Sequence, residues 1–363
     1  MYLSSLALRN FRNIVETEIL PSPAFNVLWG DNGQGKTNIL ESIYIIGHLK
    51  SFRNTRNEDL IEHNSIRSQL HGEIISGGSK RTVDIGIESR GKEVLLDGKE
   101  VRHAATFFSA LRPVIFSPEE VALTKGAPAG RRALLDRAIF QIDPAYLPRA
   151  QEYERCLRQR NALFRTPGGT NQIASWTEAL IRAGLHIRRS RSAYLTRITA
   201  IFNDVYKKIS GNRETASIIL PYTPENEQGL EDYFRQELER CRHREILTGQ
   251  TLAGPHRDDP LFQINGRSIR QFASQGQQRS FMLAFKTAQI IDIEEQTGEP
   301  PVLLLDDMTS ELDKNRQGYF FNFLLSRKGQ VFVTTTDIQP MISAGLTEAR
   351  FFSVKNGILR QDQ

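Results

Sequence analysis

The sequence predicts an α/β fold, interrupted by a long helical insert and carrying a β-meander beside its main sheet. Three observations lead there. A strand, a glycine-rich loop and a helix follow one another within the first fifty residues; short apolar or β-branched runs of the kind that form buried parallel strands occur in the last hundred; and the stretch between has helical periodicity. A chain of 363 residues suits two domains. Its 39% hydrophobic and 25% charged residues argue against a disordered or membrane-embedded chain, and no run of about 18 apolar residues occurs. The first residues, MYLSSLALRNFRN, lack the basic region and apolar run of an export signal. Cys156 and Cys241 alone build neither a disulfide framework nor a zinc site, so a reducing compartment and a soluble cytoplasmic protein are expected.

Leu3, Leu6 and Leu8 suggest a first strand, and residues 25–29 a second that ends at Gly30. After Lys36, the apolar residues Ile39, Leu40, Ile43 and Ile46 fall at helical spacing. Residues 69–96, with Gly77-Gly78 between alternating segments and Asp97-Gly98 beyond, read as an antiparallel meander. Helical spacing returns at Tyr146, Ala150, Tyr153, Leu157 and Phe164, and a Pro-Gly-Gly break at 167–169 ends it. A long second helix is expected over 173–209, from Trp176, Leu180, Tyr194, Ile198, Ile201, Val205 and Ile209. Residues 302–305 and 331–335 are the buried strands that resume the sheet. The expected division is a head of residues 1–120 and 235–363 around an arm of residues 121–234.

The charge of +5 is unevenly placed. Residues 125–216 hold 17 lysines and arginines against 7 acids, a surplus of ten that leaves the rest of the chain net acidic. Such an arm suits a phosphate backbone, with Arg188, Arg189, Arg191, Arg197, Lys207 and Lys208 as candidate contacts. Arg155, Arg158 and Arg160 on the preceding helix could serve DNA or an acidic protein partner equally well.

Gly30-Asp31-Asn32-Gly33-Gln34-Gly35-Lys36-Thr37 matches GxxxxGK[ST], where backbone N–H groups wrap a phosphate at a helix start. Lys36 is expected on the β- and γ-phosphates of ATP and the Thr37 hydroxyl on Mg²⁺. The second metal-side carboxylate comes at the end of the run Val302-Leu303-Leu304-Leu305-Asp306-Asp307: Asp306 to hold Mg²⁺, Asp307 to orient the attacking water. Ser274-Gln275-Gly276-Gln277-Gln278-Arg279 opens another helix, where Ser274 can present oxygen and N–H groups to a phosphate. Since the P-loop already serves the phosphate of its own copy, this points to an ATP-sandwich homodimer with Ser274 acting in trans. Ser310, Glu311, Leu312 and Asp313 are expected near that interface.

Together these motifs resemble the SMC-like ABC-type ATPase heads, and most closely the RecF family of bacterial recombination mediators. The resemblance runs through Leu8-Arg9-Asn10-Phe11-Arg12-Asn13, the P-loop with Asn38, Phe116-Ser117-Pro118-Glu119, Leu252-Ala253-Gly254-Pro255-His256-Arg257-Asp258-Asp259, the Ser274 segment, the double aspartate and Thr334-Thr335-Thr336. It implies a P-loop NTPase fold of the ABC/SMC-head type. It further implies that Arg12 lies near the phosphates, and that the chain dimerises with ATP and binds DNA, single-stranded and gapped or double-stranded. In recombinational repair and replication restart, it implies work with RecR and help in loading RecA. Asp307 in place of a glutamate suggests slow hydrolysis, a switch rather than a motor. No glutamine stands in 114–120 where such heads place a metal contact. A turn, rather than a metal site, is expected at His256 to Asp259, and His48, His63, His71 and His103 share no metal-binding spacing. The alternative is an ABC-type ATPase subunit unrelated to DNA; a full LSGGQ signature and a switch histidine would favour it, and both are missing.

Overall fold

In a computed structural model, residues 1–53, 55–101, 107, 110–166, 168, 172–222, 227–307, 314–343, 345–346 and 349–362 are described. His103, Pro167, Gly169, Ser310, Glu311, Leu312 and Asp313 lie outside them. The described chain forms two compact units, residues 1–122 with 279–363, and residues 123–278.

The first unit holds two six-stranded sheets. One has the order β2-β1-β4-β5-β6-β7, built from β1 (Tyr2–Phe11), β2 (Ile14–Ile19), β4 (Ser68–Ser76), β5 (Ser79–Glu88), β6 (Gly91–Leu96) and β7 (Lys99–Glu100), and every pairing in it is antiparallel. The three-residue step from Leu3 to Leu6 keeps both side chains buried because the register shifts between Leu3 and Ser5, as a bulge does. The other sheet has the order β15-β14-β3-β13-β12-β8, from β3 (Phe25–Trp29), β8 (Pro113–Phe116), β12 (Val302–Leu305), β13 (Val331–Thr335), β14 (Arg350–Lys355) and β15 (Ile358–Gln361). Its four pairings from β14 through to β8 are parallel, and β15 closes the edge antiparallel to β14. β12 and β13 are buried at every position, which is why they read as runs of apolar and β-branched residues rather than alternating ones.

Helix α1 (Lys36–His48) leaves β3 through the glycine loop. Ile39, Leu40, Ile43 and Ile46 are all fully buried, each such side chain contributing roughly 1.5–3 kcal/mol. The helix stops where Leu49 turns left-handed at φ 55.

The second unit is built on α2 (Pro128–Ile142), α3 (Tyr146–Phe164), the 38-residue α4 (Ile173–Ser210) and α5 (Glu227–Thr248). A three-stranded antiparallel sheet accompanies them, order β11-β10-β9, from β9 (Ala216–Ile219), β10 (Leu261–Ile264) and β11 (Arg267–Ser268). Position 235, where the sequence suggested a return to the head, lies inside α5. The changeover is at 278/279 because β9, before α5, pairs with β10, after it, and a ladder keeps both flanks in one unit. The boundary falls within α6 (Gln275–Thr297), and α7 (Lys314–Leu325) follows in the first unit.

Candidate nucleotide site and basic arm

The loop after β3 passes through Gly30 at φ 147, Gly33 at φ 80 and Gly35 at φ 112, a left-handed path that side chains resist. A Cβ on Gly30 would stand 2.4 Å from the Val354 carbonyl oxygen, while one on Gly33 would meet nothing within 4 Å. The loop is therefore packed at its base and open at its apex. Lys36 is 8% exposed and donates Nζ to the carbonyls of Gly30 (2.5 Å) and Asp31 (2.8 Å). Burial pushes its ammonium below the usual lysine range, against the attraction of Asp307, Asp306 and Asp31.

Parallel pairing of β12 with β8 and β13 brings the double aspartate to the same edge. Thr37 Oγ1 donates to Asp306 Oδ1 at 2.8 Å, and Thr334 Oγ1 donates to the same oxygen at 2.9 Å. The Thr334 hydroxyl also accepts the backbone N–H of Asp307 at 2.9 Å, fixing a residue held left-handed at φ 50. Burial pushes the Asp306 carboxyl above the usual aspartate range, opposed by its bonds from Thr37 and Thr334. A hydroxyl and a carboxylate so joined are the hard oxygen donors that suit Mg²⁺.

Other sequence candidates are placed differently. Arg12 forks onto the buried Glu41 of α1, through Nε at 2.9 Å and Nη2 at 2.8 Å, with Nη1 on the Asp59 carbonyl at 2.7 Å. Its donors are engaged within the protein, so a phosphate role requires their release. Asn38 donates to Asn13 at 2.8 Å, and Asn13 donates to the Gln34 carbonyl at 3.1 Å. Gln34 is also held by the turn between β14 and β15: Asn356 N–H bonds its Oε1 (2.7 Å) and Gly357 N–H its carbonyl (2.9 Å). Asp31 and Asn32 are exposed. In the second unit, Ser274 Oγ accepts the Gln277 N–H at 3.2 Å and caps α6. Sequence reasoning missed Thr334 as a site residue, and missed Arg53, which donates to Asn38 at 3.1 Å and whose charge acts on Asp306. It left 114–120 unassigned, and Glu119 there also acts on Asp306.

The arm corrects the expected DNA contacts. Arg188 is fully buried, bonded to Asp258 at 2.6 Å and Glu237 at 2.7 Å and stacked over Phe234 and Tyr222. Arg191 binds both oxygens of Asp136, at 2.8 and 2.9 Å. Arg160 is buried on Glu245 at 2.7 Å. These three are internal braces, because acids from other elements neutralise them. Arg189 and Arg197 are half-buried; Lys207, Lys208, Arg155 and Arg158 are exposed, with Lys208 paired to Asp204 and Arg155 to Glu152. The 252–259 segment is the hub of this bracing: Asp258 takes Arg188 and Arg191, and Asp259 takes Arg131. His256 lies between the Tyr153 hydroxyl (2.6 Å) and the Thr251 carbonyl (3.1 Å), and burial pushes it down to about 4. Among the described residues no metal-binding cluster of histidine, cysteine and acids occurs, and no helix is long and apolar enough to cross a membrane.

Residues 2–360 match the RecF/RecN/SMC N terminal domain family. The DNA replication and repair protein RecF of Syntrophotalea carbinolica is 48% identical over 359 residues, 99% of each chain. The chain belongs to the RecF family. A solved structure of the recombination mediator protein RecF with ATP, in the RecFOR pathway, superposes on this RecF-family chain with a TM-score of 0.90 at 29% identity, covering 99% of both. The Smc head bound to the C-winged helix domain of ScpA shares the fold, with a TM-score of 0.58 at 16% identity over 100% of this chain and 97% of that one.

Proposed function

We propose that this RecF-family chain is an ATP-gated, DNA-binding switch of recombinational repair and replication restart in the cytoplasm. ATP sits in the P-loop on Lys36 and the loop amides from Gly30 to Asn38, with Arg12 nearby. Thr37 and Asp306 would hold Mg²⁺, which when bound would supply charge neutralisation at the phosphates. Two loaded copies close as a sandwich, each Ser274 meeting the other's nucleotide, and the dimer holds single-stranded or gapped DNA, meets RecR and helps load RecA. Asp307 orients the attacking water, and slow hydrolysis resets the dimer. The observation that carries this reading is the join of Thr37, Asp306, Thr334 and Asp307 beside Lys36, in a chain similar along its whole length to RecF with ATP.

Sedimentation of the wild type and of Lys36→Arg, with and without ATP and Mg²⁺ and with a gapped duplex at two salt concentrations, tests it. The expected result is a dimer only in the wild type with ATP, binding DNA in a salt-sensitive manner. A dimer indifferent to DNA would return the chain to the class of ATPase subunits unrelated to DNA.

A further inference from the structure

Glu214 stands in the turn between α4 and β9, outside every motif. Its Oε1 accepts the Gln277 side-chain amide at 2.7 Å, and its Oε2 accepts the Tyr206 hydroxyl at 2.8 Å. Gln277 in turn accepts the Ser274 N–H on its own Oε1 at 2.9 Å and gives its N–H to Ser274 Oγ at 3.2 Å. Ser274 and Gln277 thus form a reciprocal capping box, gripped from behind by a carboxylate. Tyr206 is fully buried in the last turn of α4, and the Ser210 hydroxyl lies 3.4 Å from the Glu214 carbonyl. With both oxygens engaged, Glu214 has one orientation, and the charged acceptor holds the amide more firmly than a neutral one would. The start of α6 is therefore oriented by a residue sixty positions earlier.

We propose that Glu214 is a positioning residue for Ser274: through Gln277 it holds the signature serine in the geometry that the other copy's nucleotide meets, and ties it to the last turn of α4. This rests on the sandwich reading above and names what sets its trans contact.

Sedimentation with ATP and Mg²⁺ of the wild type, Glu214→Ala, Gln277→Ala, the double variant and Glu214→Gln tests it. Glu214→Ala should weaken ATP-dependent dimerisation about tenfold, the scale of one charge-assisted bond. The double variant should be no weaker than Gln277→Ala, because residues acting as one unit do not add. Glu214→Gln should recover part of the loss, since its amide oxygen still accepts from Gln277. Binding of a fluorescent ATP analogue to each monomer should match the wild type, and an unchanged far-ultraviolet circular dichroism spectrum reports that the second unit of each variant is folded. Wild-type dimerisation by Glu214→Ala, or additive losses in the double variant, would overturn the assignment. A wild type that stays monomeric with ATP would instead sink the sandwich reading, and the assignment with it.

Discussion

Two hydroxyls converge on one oxygen of Asp306, and the one from Thr334 also pins the next residue's backbone. Thr334→Val should therefore weaken Mg²⁺-dependent ATP binding by roughly tenfold, the scale of one or two lost hydrogen bonds, with little change when Mg²⁺ is omitted; titration calorimetry in both conditions checks this. Asp307→Asn should keep ATP-dependent dimerisation while phosphate release falls about 10²-fold or more. His256 gives a pH dependence. Burial lowers it from 6.5 to about 4, so the neutral ring stabilises the fold fully above pH 6.5, and that contribution fades as pH falls towards 4, by about 3 kcal/mol at most. The difference in thermal midpoint between the wild type and His256→Gln should shrink over that interval. The P-loop and the double aspartate are legible in the sequence because each is contiguous. Thr334 and Arg53 are not, since they reach the site only through strand register and a loop that no local pattern encodes.

At the scale of elements, apolar periodicity located α4 well: 173–209 expected against Ile173–Ser210 found, because a buried stripe on a helix leaves a regular trace. Charge counting fared worse on the same helix. It weighs arginines without their partners, and Asp258, Glu237 and Asp136 come from elsewhere in the chain. Arg188→Ala, which takes one of two arginines from the buried Asp258, should cost the second unit about 3–5 kcal/mol, read as a fall in its urea midpoint. Lys207→Ala is exposed and should leave that midpoint unchanged. If Lys207 meets DNA, its loss should reduce the slope of log affinity against log salt by about 0.9, measured by anisotropy on a gapped duplex.

For the whole molecule, the decisive arrangement is the set of neighbours around β3. Residues 25–29 pair with 331–335 on one side and 350–353 on the other, and the P-loop residue Gln34 is tied to Asn356 and Gly357. Such pairings close loops of some three hundred residues, which makes them late in folding. The second unit, by contrast, is one continuous segment, 123–278, and units of this kind fold as they emerge during synthesis. On that order of events, a nascent chain on the ribosome carries a folded second unit while β3 still waits for both flanks. On the function proposed above, the chain would answer ATP only once residues 350–357 have left the exit tunnel and Gln34 has both its partners.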